Sequence, residues 1–270
     1  METITFANQA YLPVLANWLL AMRRIGREGV AVYALDDTTR AFVENSGFEA
    51  RIVSAGQGLG ALWALRSRVF RDLVACGTSF VHSDADAVWL RDLPVDFVDP
   101  SDLCFSQGTT HPRVAYKETG FVVCCGLFGV RACAETEAFF ARLVANVERT
   151  EDDQRSVNNI LRKCGATWTR PNRGYEVTAA RGTSIRCWDQ PVTGRCEATG
   201  LTLRMVPHWM VQRVPDHHPS SDGAYIKHHL SPKAAAAKLA MFERRGLCFL
   251  RKDWQDVKAP GAIDDYLPRS

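Results

Sequence analysis

The sequence has no run of about 18 apolar residues, so no membrane-spanning helix is expected from it. Its first twenty residues, METITFANQAYLPVLANWLL, lack the basic start and unbroken apolar stretch of a signal peptide. Neither sign of charge dominates: 33 Lys and Arg face 30 Asp and Glu, a net charge of +3. That excess is too small to imply a nucleic-acid partner, although it suits an anionic ligand. The nine cysteines contain no C-x-x-C pair. Cys124 and Cys125 are adjacent in a strand-like run, where neighbouring side chains face opposite ways. The expectation is a set of small buried thiols in a reducing compartment, without a disulfide or zinc role. The expected location is cytoplasmic. No internal repeat or low-complexity tract interrupts the chain.

What is present is an ordinary globular composition, 46% hydrophobic and 23% charged over 270 residues, enough for one large domain. The first half alternates strand and helix patterns. Thr3 to Ala7 reads as a strand, and Leu12, Leu15, Leu19 and Met22 then repeat at helical spacing. Val30 to Leu35 is a second strand, after which Asp36 or Asp37 caps a helix that runs to Ser46 and stops at Gly47. Arg51 to Ser54 is a third strand. The loop GQGLG leads into a helix with Leu62, Leu65, Val69 and Leu73 on one face, and Thr78 to His82 is a fourth strand. Successive strand–helix units predict an α/β fold with a mostly parallel sheet flanked by helices. Ligands of such sheets lie beyond the carboxyl ends of the strands.

Downstream the pattern loosens. Leu103 to Ser106 and Phe121 to Val130 read as strands, separated by a polar stretch with His111, Lys117 and Glu118. Glu135 to Val147 and Asp152 to Cys164 read as helices. Residues 167 to 222 are rich in Gly, Pro, Thr and Arg, with only short strand-like pieces such as Leu201 to Val206. Ala224 to His228 is a last strand, and Ser231-Pro232 is expected to start a helix ending at Gly246. The expected organisation is a single domain over 1–270. Residues 1–130 would form a nucleotide-sugar half, and 131–270 a less regular catalytic and acceptor half.

The informative segment is FVHSDADAVWLRDL, residues 80 to 93. A strand delivers Asp84 and Asp86 where the backbone leaves the sheet. Two carboxylates at i and i+2 on such a turn can approach one hard divalent cation, which in turn bridges to diphosphate oxygens. Solvated loop aspartates are the plainer reading of the same pair. Two sharper rivals exist. Asp84-Ala85-Asp86-Ala87-Val88 fits the D-x-D-x-(T/V) string of haloacid-dehalogenase phosphatases, but that string closes a first strand. Gly56-Gln57-Gly58-Leu59-Gly60-Ala61 fits the G-x-G-x-x-(G/A) loop of an NAD(P)-dependent oxidoreductase, with Asp84 as the ribose acid. That loop also normally joins the first strand and helix, and a ribose acid needs no partner two residues on.

The run HSDADAVWLRDL resembles the D-x-D-x-x-W-L-x-D signature of the nucleotide-diphospho-sugar transferases that include plant rhamnogalacturonan xylosyltransferases (glycosyltransferase family 77). Asp84, Asp86, Trp89, Leu90 and Asp92 match it. The opening segment, with Asn8 and then Asn17-Trp18, is similar to that family's start. Arg66 and Arg68 occupy the place of its basic side chain, and the segment Cys125 to Arg131 looks like its C-x-G-x-x-x-x-R element. Asp153-Gln154-Arg155-Ser156-Val157-Asn158 resembles the D-Q-x-x-x-N helix start of the retaining galactosyltransferases of family 8. Tyr225 to Lys238 resembles the strand, histidine and lysine that close the donor site.

The resemblance implies a GT-A fold and a metal-dependent retaining transfer of a pentose or galactose-type sugar from a UDP-sugar. The acceptor is a saccharide, a peptide or a small molecule. Asp84, Asp86 and His228 would hold Mn²⁺ or Mg²⁺, with His229 the alternate to His228 and the pair His217-His218 left to solvent. Asn8, Arg66, Asp84 and Lys233 would bind the donor, Lys238 being the other candidate for its phosphates. Asp153 would hold the donor sugar and Gln154 would lie near its anomeric carbon. As plain structure, Asp153 and Gln154 are residues of a helix start, where acids are favoured. A domain of this family that binds nucleotide sugar without turnover is the non-enzymatic alternative.

Overall fold

A computed structural model describes residues 1–178, 182–213, 223–229 and 231–267. The strand–helix alternation of the first half is present: β1 (Glu2–Ala7), α1 (Leu12–Arg24), β2 (Val30–Ala34), α2 (Asp37–Asn45), β3 (Glu49–Ile52), α3 (Leu59–Ala75) and β4 (Phe80–Ser83). Local chemistry sets the boundaries. Asp36 caps α2 by accepting the Thr39 N–H at 2.7 Å, Pro13 sits in the first turn of α1, and Gly47 and Gly77 follow helix ends at φ +80° and +72°. The expected strand at Arg51–Ser54 lies two residues earlier, at β3, a short edge strand.

The second half contains β5 (Ala87–Trp89), β6 (Leu103–Gln107), α4 (Arg113–Thr119), β7 (Val123–Val130), α5 (Ala134–Thr150) and α6 (Asp153–Lys163). Then follow β8 (Ala166–Thr169), β9 (Gly174–Thr178), β10 (Ser184–Trp188), β11 (Val192–Cys196), β12 (Thr202–Met205), β13 (Val211–Gln212), β14 (Ile226–His228) and α7 (Ala235–Arg244). The main sheet has nine strands in the order β3-β2-β1-β4-β7-β6-β12-β11-β8. Only β7 and β11 run against the other seven, so the sheet is mostly parallel. Residues 167–205, expected to hold only short strand-like pieces such as Leu201 to Val206, supply three of these strands and the β9–β10 hairpin; β12 is that expected piece, and β8 to β11 are additional. Their polar, half-exposed alternation (the pattern in β8 is intermediate, exposed, intermediate, exposed) hides them from a search for apolar runs.

Both faces of the sheet are covered, which explains why β2, β6 and β7 are buried at every position. One face carries α1, α7 and the C-terminal segment, with Trp18, Phe242 and Tyr266 in its core. The other carries α3, α5 and α6, where Phe70 is ringed by Phe6, Phe80, Phe128 and Phe140 at 5.2–5.9 Å between centroids. Burial of each such aromatic contributes about 2–3 kcal/mol.

Two sequence expectations fail here. The last helix begins at Ala235, three residues after Pro232, so Pro232 is not in its first turn. Cys164 and Cys196 form a disulfide, with Cα atoms 5.9 Å apart, between the end of α6 and the end of β11. Helix and strand bring these cysteines together from 32 residues apart, and no local pattern announces that. Cys76 is exposed rather than buried. His217-His218 lie outside the described residues. No described helix is long and apolar enough to cross a membrane.

Asn17, buried on α1, donates to the Leu247 carbonyl at 3.1 Å and accepts the Phe249 N–H at 2.6 Å, tying the C-terminal segment to the sheet's helical cover. Asn17→Ala leaves both backbone groups without this partner. It should lower stability in urea denaturation by about 2–3 kcal/mol, and a loss near zero would show that the segment is held by its apolar contacts alone.

Candidate active site

The site begins where β4 ends. Asp84 N–H donates to the Gly126 carbonyl of β7 at 2.7 Å, and Ala87 N–H closes a tight turn onto the Asp84 carbonyl at 3.0 Å. The turn is backed by Ser83, whose Oγ accepts from the indoles of both Trp18 (3.3 Å) and Trp89 (3.0 Å). This gives Trp89 of the W-L string a structural task. Asp92 likewise pairs with Arg27 at 2.9 Å. The chain re-enters extended structure at once as β5, which pairs antiparallel with β14 in the register His228 to Ala87. A strand of three residues therefore carries His228 to the aspartates from 142 residues away.

Asp84, Asp86 and His228 each offer one ligand atom, and these atoms lie within 4.8 Å of one another. His228 Nε2 is 3.1 Å from Asp86 Oδ1 and 3.6 Å from Asp84 Oδ2. The remaining carboxylate oxygens are taken by protein cations. Arg66 holds Asp84 Oδ1 at 2.9 Å, and Lys238 holds Asp86 Oδ2 at 2.8 Å. The donor set of two carboxylate oxygens and one imidazole nitrogen fits a divalent transition cation. Space fits as well: a Cβ on Gly126 would overlap the His228 ring and stand 2.5 Å from Asp84 Oδ2. The ring of His229 packs on Phe242, 6.1 Å between centroids, and His229 is outside this group.

Arg66 is the link to the rest of the cleft. It is buried on α3, and its second amino group reaches Asp153, in the first turn of α6, at 2.8 Å. Burial disfavours ionisation of Asp84, but Arg66, His82 and His228 hold its carboxyl well below the usual range. Asp86 is likewise lowered against its burial by His228 and Lys238. Burial and Arg213 oppose protonation of His228, yet Asp86 raises it. Asp153 goes the other way: burial pushes it up to about 6, with Arg66 opposing and Asp84 reinforcing.

A cleft of about 240 Å³ opens beside the cluster, walled by Asp84, Arg66, Asp153, Gln154, Arg213 and Lys233 among others. Several expected residues thus meet here. Lys238 does not line it, being fully buried on Asp86 and donating to the His229 carbonyl at 2.8 Å, so it is not a free phosphate donor. Asn8 is exposed at the turn after β1, its carbonyl accepting the Tyr11 N–H at 2.9 Å, and it does not line the cleft. Arg68 is on the surface with Glu148 at 2.8 Å. The amide of Gln154 is committed to backbone: it accepts from Cys125 N–H at 2.8 Å and donates to the Val123 and His111 carbonyls. Asn158, one turn on, holds both backbone groups of Val123 at 3.0 Å, so the D-Q-x-x-x-N string sews α6 to β7. The glycines of the GQGLG loop follow the edge strand β3, and Gly60 is required because a Cβ would stand 2.8 Å from that of Glu151. A dinucleotide reading is not needed to explain it.

Sequence reasoning missed His82, Tyr11, Trp63, His111, Asp152 and Arg213. His82 is fully buried, 3.3 Å from Asp84 Oδ1, and burial together with Arg66 pushes it down to about 4. The Tyr11 hydroxyl lies against Asp86, and burial and both aspartates raise it. Only the position of His82 two residues before Asp84 was a signal in the sequence.

The Asp153 carboxyl gives a pH test. Its folded value stands above the ordinary carboxylate value of 3.8, so the folded state binds the extra proton, and this group's contribution falls as pH rises from about 4 to about 6. The span corresponds to about 3 kcal/mol. In the metal-free protein, Asp153→Asn should flatten that part of the stability–pH curve in chemical denaturation. An unchanged slope would mean that Asp153 is ionised throughout.

Comparison with known proteins follows the same line. The family profile described as nucleotide-diphospho-sugar transferase matches residues 27–229, most of the chain. The galactosyltransferase LgtC, in a crystal structure with donor and acceptor sugar analogues, superposes with a TM-score of 0.56 at 11% identity, covering 94% of this chain and 99% of that one. An active-site mutant of LgtC, glutamine to glutamate, superposes with a TM-score of 0.55 at 10% identity over 94% and 99% of the two chains. No curated protein matches the sequence significantly. With its mostly parallel sheet, its carboxylates at the strand ends and the family match over most of its length, the chain belongs to the nucleotide-diphospho-sugar transferase family and is a glycosyltransferase of the GT-A fold.

Proposed function

We propose that the protein is a metal-dependent, retaining glycosyltransferase that moves a pentose or galactose-type sugar from a UDP-sugar to a hydroxyl-bearing acceptor. The observation that carries the reading is the convergence of Asp84, Asp86 and His228 beside a cleft whose wall also holds Arg213 and Lys233. These three residues would hold Mn²⁺ or Mg²⁺, and the imidazole donor favours Mn²⁺. A bound ion supplies charge neutralisation for the departing diphosphate. Lys233 and Arg213, both on the cleft wall, are the side chains that would meet the phosphates. Arg66 would act through the carboxylates it orients, and Asn8, just after β1, would lie toward the nucleoside. Asp153 would fix the donor sugar, with Gln154 beside the anomeric carbon. The residues of 1–130 would form the donor half, and those of 131–270 would add the helix start that carries Asp153 and Gln154. Within the family, the D-x-D-x-x-W-L-x-D string aligns the reading with glycosyltransferase family 77.

The test is calorimetric titration of UDP with Mn²⁺, then with a chelator, and with NAD⁺ as a control. UDP should bind only with metal, and Asp86→Ala should abolish that binding; equal binding by the variant removes Asp86 from the metal site. Slow hydrolysis of the donor would exclude a domain that only binds nucleotide sugar.

Retention is supported by the D-Q-x-x-x-N likeness to family 8, and a front-face route is the form of it that requires no carboxylate nucleophile. The product's anomeric proton coupling in NMR should match that of the donor, and an inverted linkage would overturn this part of the reading.

A further inference from the structure

The mouth of the cleft holds a pair that the donor chemistry does not use. His111, on the loop after β6, and Asp152, the N-cap of α6, both line the cleft. His111 Nε2 is 2.9 Å from Asp152 Oδ2. The other Asp152 oxygen caps α6 by accepting the Arg155 N–H at 2.8 Å, so the carboxylate is fixed at both ends. The His111 carbonyl accepts from Gln154 Nε2 at 3.2 Å, which fixes the loop backbone against the residue proposed to lie beside the reacting carbon. The imidazole itself is 60% exposed, so it is open to a ligand that enters the cleft. In the neutral ring, an Nε2 that donates to the carboxylate leaves Nδ1 as a hydrogen-bond acceptor, and an exposed acceptor of that kind receives O–H groups. Trp63, on α3, lines the same cleft and offers an aromatic surface. Of the stretch 167–222, only Arg213 among the described residues lines the cleft.

We propose that His111, oriented by Asp152, and Trp63 form the acceptor subsite, and that its ligand is a sugar ring, held by a hydroxyl on His111 and an apolar ring face on the indole. This rests on the glycosyltransferase reading above and places acceptor selection at the cleft mouth rather than in residues 167–222. His111 is the group that touches the acceptor, and Asp152 is a positioning residue. Aromatic side chains offer large contact area with few degrees of freedom to lose, which suits recognition of a rigid ring.

The experiment uses the full chain with UDP and Mg²⁺, chosen to avoid paramagnetic broadening, and a panel of methyl and p-nitrophenyl glycosides of galactose, glucose, xylose and rhamnose. Histidine side-chain ¹⁵N–¹H spectra should show His111 with its proton on Nε2. At least one glycoside should shift the His111 signals and quench Trp63 fluorescence saturably. Asp152→Asn keeps a good helix cap but replaces the carboxylate that selects the tautomer. It and His111→Ala should weaken that glycoside about tenfold, while the UDP titration stays as in the wild type. If no glycoside perturbs His111 up to its solubility limit, or if both variants bind the glycoside as tightly as the wild type, the subsite assignment falls. Failure of the wild type to bind UDP is a separate result that would overturn the donor reading itself.

Discussion

The site depends on one buried guanidinium. Arg66 stands between Asp84, which belongs to the end of β4, and Asp153, which belongs to the start of α6, and it satisfies both. Without it the buried Asp153 carboxylate would face the partly exposed Asp84 carboxylate with no cation between them, which is unfavourable. The residue also explains the opposite behaviour of its two partners. Asp84 has Arg66 and two histidines in its favour and is held ionised, whereas Asp153 shares the same cation from a drier position and is raised to about 6. The helix that presents Arg66 is in turn locked by the aromatic cluster around Phe70, so the core and the cleft are one mechanical unit.

Much of this was visible in the sequence where the information is local. Asp36 announced its helix because a cap is a contact of three residues, and β1, β2 and α1 announced themselves by period. Asp84 and Asp86 were legible because they are two residues apart on one turn. His228 was legible only by likeness to a family, since its approach depends on the β5–β14 ladder, and β5 is three residues hidden inside the D-x-D string. Of the strands between 166 and 205 only β12 is legible, as Leu201 to Val206; β8 and β11 mix exposed and covered positions and show no apolar run. Lys238 is one of two candidates for the phosphates because sequence places it near the site without saying which way it faces; in the fold it is fully buried against Asp86. The disulfide was missed for the same reason: a pairing across 32 residues is a property of the fold.

The Gly126 and Trp89 positions show how scaffold residues can look like chemistry. Gly126 is small because the His228 ring passes over it, and the buried Trp89 N–H finds its acceptor in the Ser83 hydroxyl behind the turn. Asn158 and Gln154 pin the first residues of β7, next to the register shift between Phe105 and Ser106 where the β6–β7 ladder is irregular. Side chains there take over what a neighbouring strand would otherwise do.

The pairing of Lys238 with Asp86 has a consequence for how ion and nucleotide bind. Arg66 is shared between Asp84 and Asp153, and Lys238 sits on Asp86, so both aspartates of the cluster already have a protein cation beside them. On the proposed function, an ion held by the same carboxylates would add positive charge next to those cations, and a diphosphate that entered with it would offset that charge. The two ligands would then be thermodynamically coupled, each raising the other's affinity by the same factor.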